Sequence, residues 1–146
     1  MKLTRSRFIR KDAVVLSGGS AEGFVYGNNT VTNNSCTITG EIQKTYIAGV
    51  NLSGIGNVVS HNEIYNAPHM GVYYTGNENV VEYNYIHDVV LQSSDAGAIY
   101  TGYSYSTHGN VVRYNCISNI GSALLHQAGI TLTIIFQADG IRMCLS

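Results

Sequence analysis

A short motif, Asn-x-Val-x-x-Asn-x-(Ile/Cys), recurs four times in this chain, and no other feature limits its possible folds so severely. It stands at Asn29/Val31/Asn34/Cys36, Asn57/Val59/Asn62/Ile64, Asn79/Val81/Asn84/Ile86 and Asn110/Val112/Asn115/Ile117. The intervals are 28, 22 and 31 residues, so a constant unit is joined by loops of variable length. Self-similarity at such a period marks a solenoid, in which each turn of the chain buries its apolar side against its neighbours. Valine and isoleucine suit strand interiors. An asparagine between two short strands can take up a bend and hydrogen-bond local backbone. Stacking the coils therefore predicts a ladder of Asn34, Asn62, Asn84 and Asn115.

Each unit leads into a further strand built around a glycine. These are Ile47-Ala48-Gly49-Val50-Asn51-Leu52, His69-Met70-Gly71-Val72-Tyr73-Tyr74, Asp95-Ala96-Gly97-Ala98-Ile99-Tyr100 and Gln127-Ala128-Gly129-Ile130-Thr131-Leu132. The stretch from Ala13 to Gly18 matches as well, with Ala13 in the glycine's place. Every turn thus holds three short strands and three bends. Strand side chains alternate between faces, which predicts Ala48, Val50, Leu52, Met70, Val72, Tyr74, Ala96, Ala98 and Tyr100 inside. Ile47, Asn51, His69, Tyr73, Asp95 and Ile99 are then expected outside. With the glycines in register, His69 and Asp95 would be backbone neighbours about 4.8 Å apart.

At 146 residues the chain fits one domain with a real core. Charged residues make up only 12% and the net charge is -1, which is not the electrostatic footprint of a nucleic-acid binder. Tyrosine, asparagine, histidine and aspartate suit hydrogen bonding and stacking on a neutral polymer, so the expected partner is a carbohydrate polymer or glycoside, bound by a monomer. No run approaches the roughly 18 apolar residues of a membrane span. The basic start, Met1 to Lys11, is followed only by the short apolar stretch Ala13 to Leu16, too brief for a signal-peptide core. Cys36, Cys116 and Cys144 lack metal-ligand spacing such as Cys-x-x-Cys and read as isolated thiols. Neither a metal nor a cofactor is expected.

From Ala13 to Ile130 the pattern resembles right-handed parallel β-helix proteins, the solenoid of pectate lyases and many polysaccharide-degrading enzymes. More narrowly, Gly-Asn-Glu-Asn-Val-Val-Glu-Tyr-Asn-Tyr-Ile-His-Asp from Gly76 to Asp88, followed by Asp95 to Tyr100 and by Gly109 to Asn115, resembles the β-helix glycosidases related to glycoside hydrolase family 141. The resemblance implies an all-β fold, a right-handed parallel β-helix of about four to five uncapped coils over residues 1–130. It also implies sugar binding on the outer face of one sheet and its adjoining loops, and an extracellular or periplasmic parent protein.

The residues point to the same region. Asp95 follows the polar loop Val89 to Ser94, and function concentrates in loops on a rigid scaffold. Asp95 is the candidate catalytic acid or nucleophile; it could equally cap the strand entry by accepting a backbone hydrogen bond. His69 and Tyr73 are the candidate substrate contacts, Tyr73 as a stacking platform, while Gly71 and Gly97 would leave shallow ground for a sugar ring. His87 and Asp88 are adjacent in a strand and expected on opposite sides, and Asp88 shares a column with Asn66 and Asn119, which points to a turn role. Glycosidases generally use two carboxylates, and only Asp95 is well placed here. A polysaccharide lyase would want a cation or metal to stabilise charge beside a uronate, and the outer face of the glycine strands offers no Lys or Arg. A non-catalytic glycan-binding or structural β-helix would carry the same repeat.

After Ile130 the Gly-Asn bend of the earlier coils is missing. A back-translation of Thr131 to Gln137, read in the neighbouring frame, gives Tyr-Leu-Asp-Asp-Tyr-Phe-Ser, which resembles the family's continuation. Residues 131–146 are therefore expected to be an out-of-frame tail on a piece of a longer protein, with the family's acidic pair lost.

Overall fold

The structure, a computed structural model, describes residues 6–8, 12–20, 22–38, 44–93, 96–102 and 106–121. Among them there is no helix, and the strands stack into three sheets. The first contains β2 (Val14–Ser20), β6 (Ala48–Gly54), β9 (Met70–Tyr74) and β12 (Ile99–Tyr100) in parallel, with β3 (Val25–Tyr26) antiparallel beyond β2. The second holds β4 (Thr30–Thr32), β7 (Val58–Ser60), β10 (Val80–Glu82) and β13 (Val111–Arg113). The third holds β1 (Ser6–Phe8), β5 (Ser35–Ile38), β8 (Glu63–Ala67), β11 (Tyr85–Val89) and β14 (Cys116–Ile120). Neighbours within the second and third sheets are parallel throughout. The chain is a parallel β-helix solenoid.

The repeat supplies its interior. Val31, Val59, Val81 and Val112 pair in register and are all buried. Cys36, Ile64 and Ile86 form the next inward column, with Ile117 partly buried against the same core. No disulfide joins Cys36 to Cys116, which pairs with Tyr85 one position away from that column. Burial pushes the Cys36 thiol up to about 11. Cys144 and the 131–146 segment lie outside the described residues.

Both asparagine columns are ladders. In the expected one, Asn62 Oδ1 accepts from the backbone N and Nδ2 of Asn34, both at 3.0 Å, and Asn84 and Asn115 repeat the pattern. In the first column the Oδ1 atoms of Asn57, Asn79 and Asn110 accept from the backbone N of Asn29, Asn57 and Asn79, and those of Asn57 and Asn79 accept from the neighbouring Nδ2 as well. Buried backbone N–H groups at two of the three corners are thereby satisfied, each bond contributing about 0.5–1.5 kcal/mol net. The ladders also hold a costly bend. Asn33, His61, Tyr83 and Tyr114, each just before a ladder asparagine, have φ of 57°, 53°, 53° and 55°, a conformation costing about 1–2 kcal/mol per residue. Three of these side chains stack: His61 on Tyr83 and Tyr83 on Tyr114, both with ring centroids 5.0 Å apart.

Candidate functional site

Loops of variable length enter the first sheet at the third corner, and the side chains there gather into a cleft of about 150 Å³. Asp12, Tyr46, Ala48, Asn51, His69, Met70, Tyr73 and Tyr100 line it. Asn51, Tyr73 and Tyr100 form one outward row across β6, β9 and β12, and the rings of Tyr73 and Tyr100 lie 6.3 Å apart at 28°.

Tyr100 reaches this row through a register slip. Glycine over glycine would put Ile99 beside Tyr73 and bury Tyr100. The structure instead pairs Ile99 with Val72 and Tyr100 with Tyr73. A one-residue shift exchanges the two faces of a strand, so Ile99 joins the core and Tyr100 faces the cleft. Burying isoleucine hides no polar atom, whereas a buried tyrosine must find a partner for its hydroxyl.

The glycines also act differently from the expectation. A Cβ on Gly71 would lie 2.6 Å from the Ala98 carbonyl oxygen and 2.7 Å from Ile86 Cγ2, and one on Gly49 would collide with Ile64 Cγ2. The glycines therefore make room for the core, not for a ligand. The pairing of β6 with β9 skips the two glycines, and the alternation of faces slips there. Ile47 belongs to the core cluster while Ala48 and Met70 line the cleft, the reverse of simple alternation. His69, in the column of Ile47, is buried rather than exposed, and the ring of Tyr46 tilts over it at 5.8 Å.

Asp12, which sequence reasoning missed, supplies a carboxylate to the cleft. Its Oδ1 accepts from the backbone N of Ala48 at 2.6 Å and its Oδ2 from Asn51 Nδ2 at 2.8 Å. The only signal in the sequence is its place one residue before the Ala13 strand. Asp95, the candidate catalytic residue, lies outside the described residues, whereas His69 and Tyr73 are both in the cleft wall.

A second polar cluster occupies the outer face of the third sheet. His87 Nδ1–H donates to Asp88 Oδ2 at 2.7 Å, although the two are adjacent in sequence. Asp88 has φ of 51°, as Asn66 and Asn119 have 59° and 48°, and this left-handed turn brings both side chains to one side. Both the turn role and the pairing are thus present. Glu63 Oε1 lies 3.5 Å from His87 Nε2, and the His87 ring sits between Tyr65 at 5.2 Å and Tyr85 at 4.4 Å. The hydrogen bond from His87, with another from Asn119, holds the Asp88 carboxyl below its ordinary range. These contacts of His87 and Asp88 tie β8, β11 and β14 together.

No protein-family model, curated protein or solved structure matches the chain.

Proposed function

We propose that the chain is the glycan-binding part of a carbohydrate-active β-helix, with the parent protein a glycoside hydrolase of the family 141 type. The observation that carries this reading is the cleft, where two offset tyrosine rings, a buried histidine and a fixed carboxylate converge on one outward sheet face. Apolar ring faces beside oriented polar groups suit a sugar, which has an apolar face and a rim of hydroxyls. A volume of about 150 Å³ is below the roughly 300–1,000 Å³ of drug-sized pockets, so the cleft takes one sugar unit of a longer glycan. Asp95, by its place in the loop leading to β12, is the proposed acid or nucleophile of the parent.

One observation favours a non-catalytic glycan binder as the second reading. Among the described residues the lining holds a single carboxylate, Asp12, with both oxygens already accepting hydrogen bonds, whereas glycosidases generally need two. The described lining also contains no Lys or Arg, which weighs against a lyase that stabilises a carbanion with a cationic side chain. The test is to titrate the 146-residue chain with xylohexaose by calorimetry and to assay a panel of aryl glycosides. Binding with turnover supports the hydrolase, binding without turnover the non-catalytic binder, and no binding removes the glycan reading.

A further inference from the structure

We infer that Asp12 is the specificity-determining residue of the cleft, selecting neutral sugars over sugars bearing a carboxylate. The inference rests on the glycan reading. Asp12 stands just before β2, and the two hydrogen bonds from neighbouring β6, from Ala48 N and Asn51 Nδ2, fix both of its oxygens. An ionised carboxylate has about four acceptor positions and no donor. These two bonds occupy two of them, and the others remain able to accept from a ligand hydroxyl.

Neutral sugars present hydroxyl donors all round the ring, and a pair of adjacent hydroxyls can donate to the two oxygens of one carboxylate. A uronate in the same place offers an acceptor-only anion. The described lining contributes Asp12 as its one charged side chain, with no Lys or Arg to offset it. Two carboxylates at about 4 Å repel strongly enough, between water-like and surface-like screening, to weaken binding by roughly five- to a thousandfold. Tyr73 and Tyr100 do not distinguish the two sugars, because stacking uses ring faces that both possess. Asn51 acts differently from Asp12: its amide orients the carboxylate without supplying charge.

The test compares xylohexaose with trigalacturonate by calorimetry on the 146-residue chain. The wild type is expected to bind the neutral oligosaccharide at least about tenfold more tightly. Asp12→Asn should weaken neutral binding by about ten- to a hundredfold, the range for a charge-assisted hydrogen bond, and bring the two ligands within about threefold of each other. Asn51→Leu keeps the charge and the bond to Ala48; it should weaken neutral binding severalfold and preserve the rejection of the uronate. Circular dichroism before each titration establishes that the variant is folded, and should Asp12→Asn not fold, the wild-type ratio and Asn51→Leu decide. An unchanged ligand ratio in folded Asp12→Asn, or equal loss of selectivity in Asn51→Leu, overturns the inference while leaving glycan binding intact. Failure of the wild type to bind either oligosaccharide overturns the glycan reading itself, and the inference with it.

Discussion

The backbone N of Val90 donates to the carbonyl oxygen of His69 at 2.8 Å, and Val90 makes this bond in a left-handed conformation with φ of 62°. A β-branched residue there is an outlier. The bond anchors the loop after β11 to the segment that carries His69 into the cleft wall, and the Val90 side chain is buried in the core.

Burial and backbone strain oppose each other at this position, and glycine substitution separates them. Val89, equally part of the core but inside β11, should lose about 1.5–3 kcal/mol of burial on Val89→Gly. A further cost of about 1 kcal/mol comes from glycine's conformational freedom. Val90→Gly loses similar burial but recovers about 1–2 kcal/mol of left-handed strain. It should therefore unfold in urea at a higher midpoint than Val89→Gly; a lower midpoint would show that the conformation is not strained.

The asparagine ladder gives the sharpest stability prediction. Asn62 Oδ1 accepts two bonds from Asn34, and its Nδ2 donates to Val31 O and Asn84 Oδ1. Asn62→Ala leaves several buried partners unsatisfied, each costing about 1–3 kcal/mol. A total loss of about 2–4 kcal/mol is expected after relaxation. Asn62→Asp should be no better, because a carboxylate oxygen would then face the Val31 carbonyl. Equilibrium denaturation checks both, and a loss within about 0.5 kcal/mol, the level of an ordinary surface change, would contradict the ladder.

How much of this was legible depends on whether a residue repeats. The valine column and the ladder through Asn62 could be read because identical residues recur at positions that only stacking explains. The first asparagine column was visible as a repeat, yet its bonding was not, since the same residue type also serves an isolated turn. The faces around Gly49 and Gly71 were misread because alternation assumes a regular strand, and the skipped pairing at the glycines breaks it. The Tyr100 register followed from competition between Ile99 and Tyr100 for the core, which no single strand records. Asp12 was missed because a carboxylate occurs only once in its column, where the following coils carry Ala48 and Met70.

Asp88 makes stability depend on pH in a definite direction. Its folded carboxyl sits below the ordinary value of 3.8, chiefly through the hydrogen bond from His87. A depressed carboxyl contributes stability that is present above the unfolded value and lost as pH falls through the folded one. Asp88→Asn should therefore remove part of the acid sensitivity below pH 3.8 and leave the left-handed turn, which Asn66 and Asn119 also adopt. Thermal melts between pH 2 and pH 6 test this; parallel curves for the two proteins would show that Asp88 does not contribute.

The final prediction concerns the glycines that open the core. On Gly71→Ala the new methyl would meet a backbone carbonyl, that of Ala98, and the buried Ile86 side chain. Neither can withdraw freely, because the Ala98 carbonyl accepts from Val72 N at 2.8 Å and Ile86 is packed on all sides. Overpacking of this kind costs about 1–3 kcal/mol. Gly102, just after first-sheet strand β12, is the control: among the described residues its added Cβ would meet Tyr100 Cε1 alone, at 3.8 Å, an ordinary contact. Gly102→Ala should change stability by less than about 0.5 kcal/mol. If Gly71→Ala were instead neutral in stability but weakened oligosaccharide binding, the missing Cβ would be serving the ligand, and the assignment of these glycines to the core would be wrong.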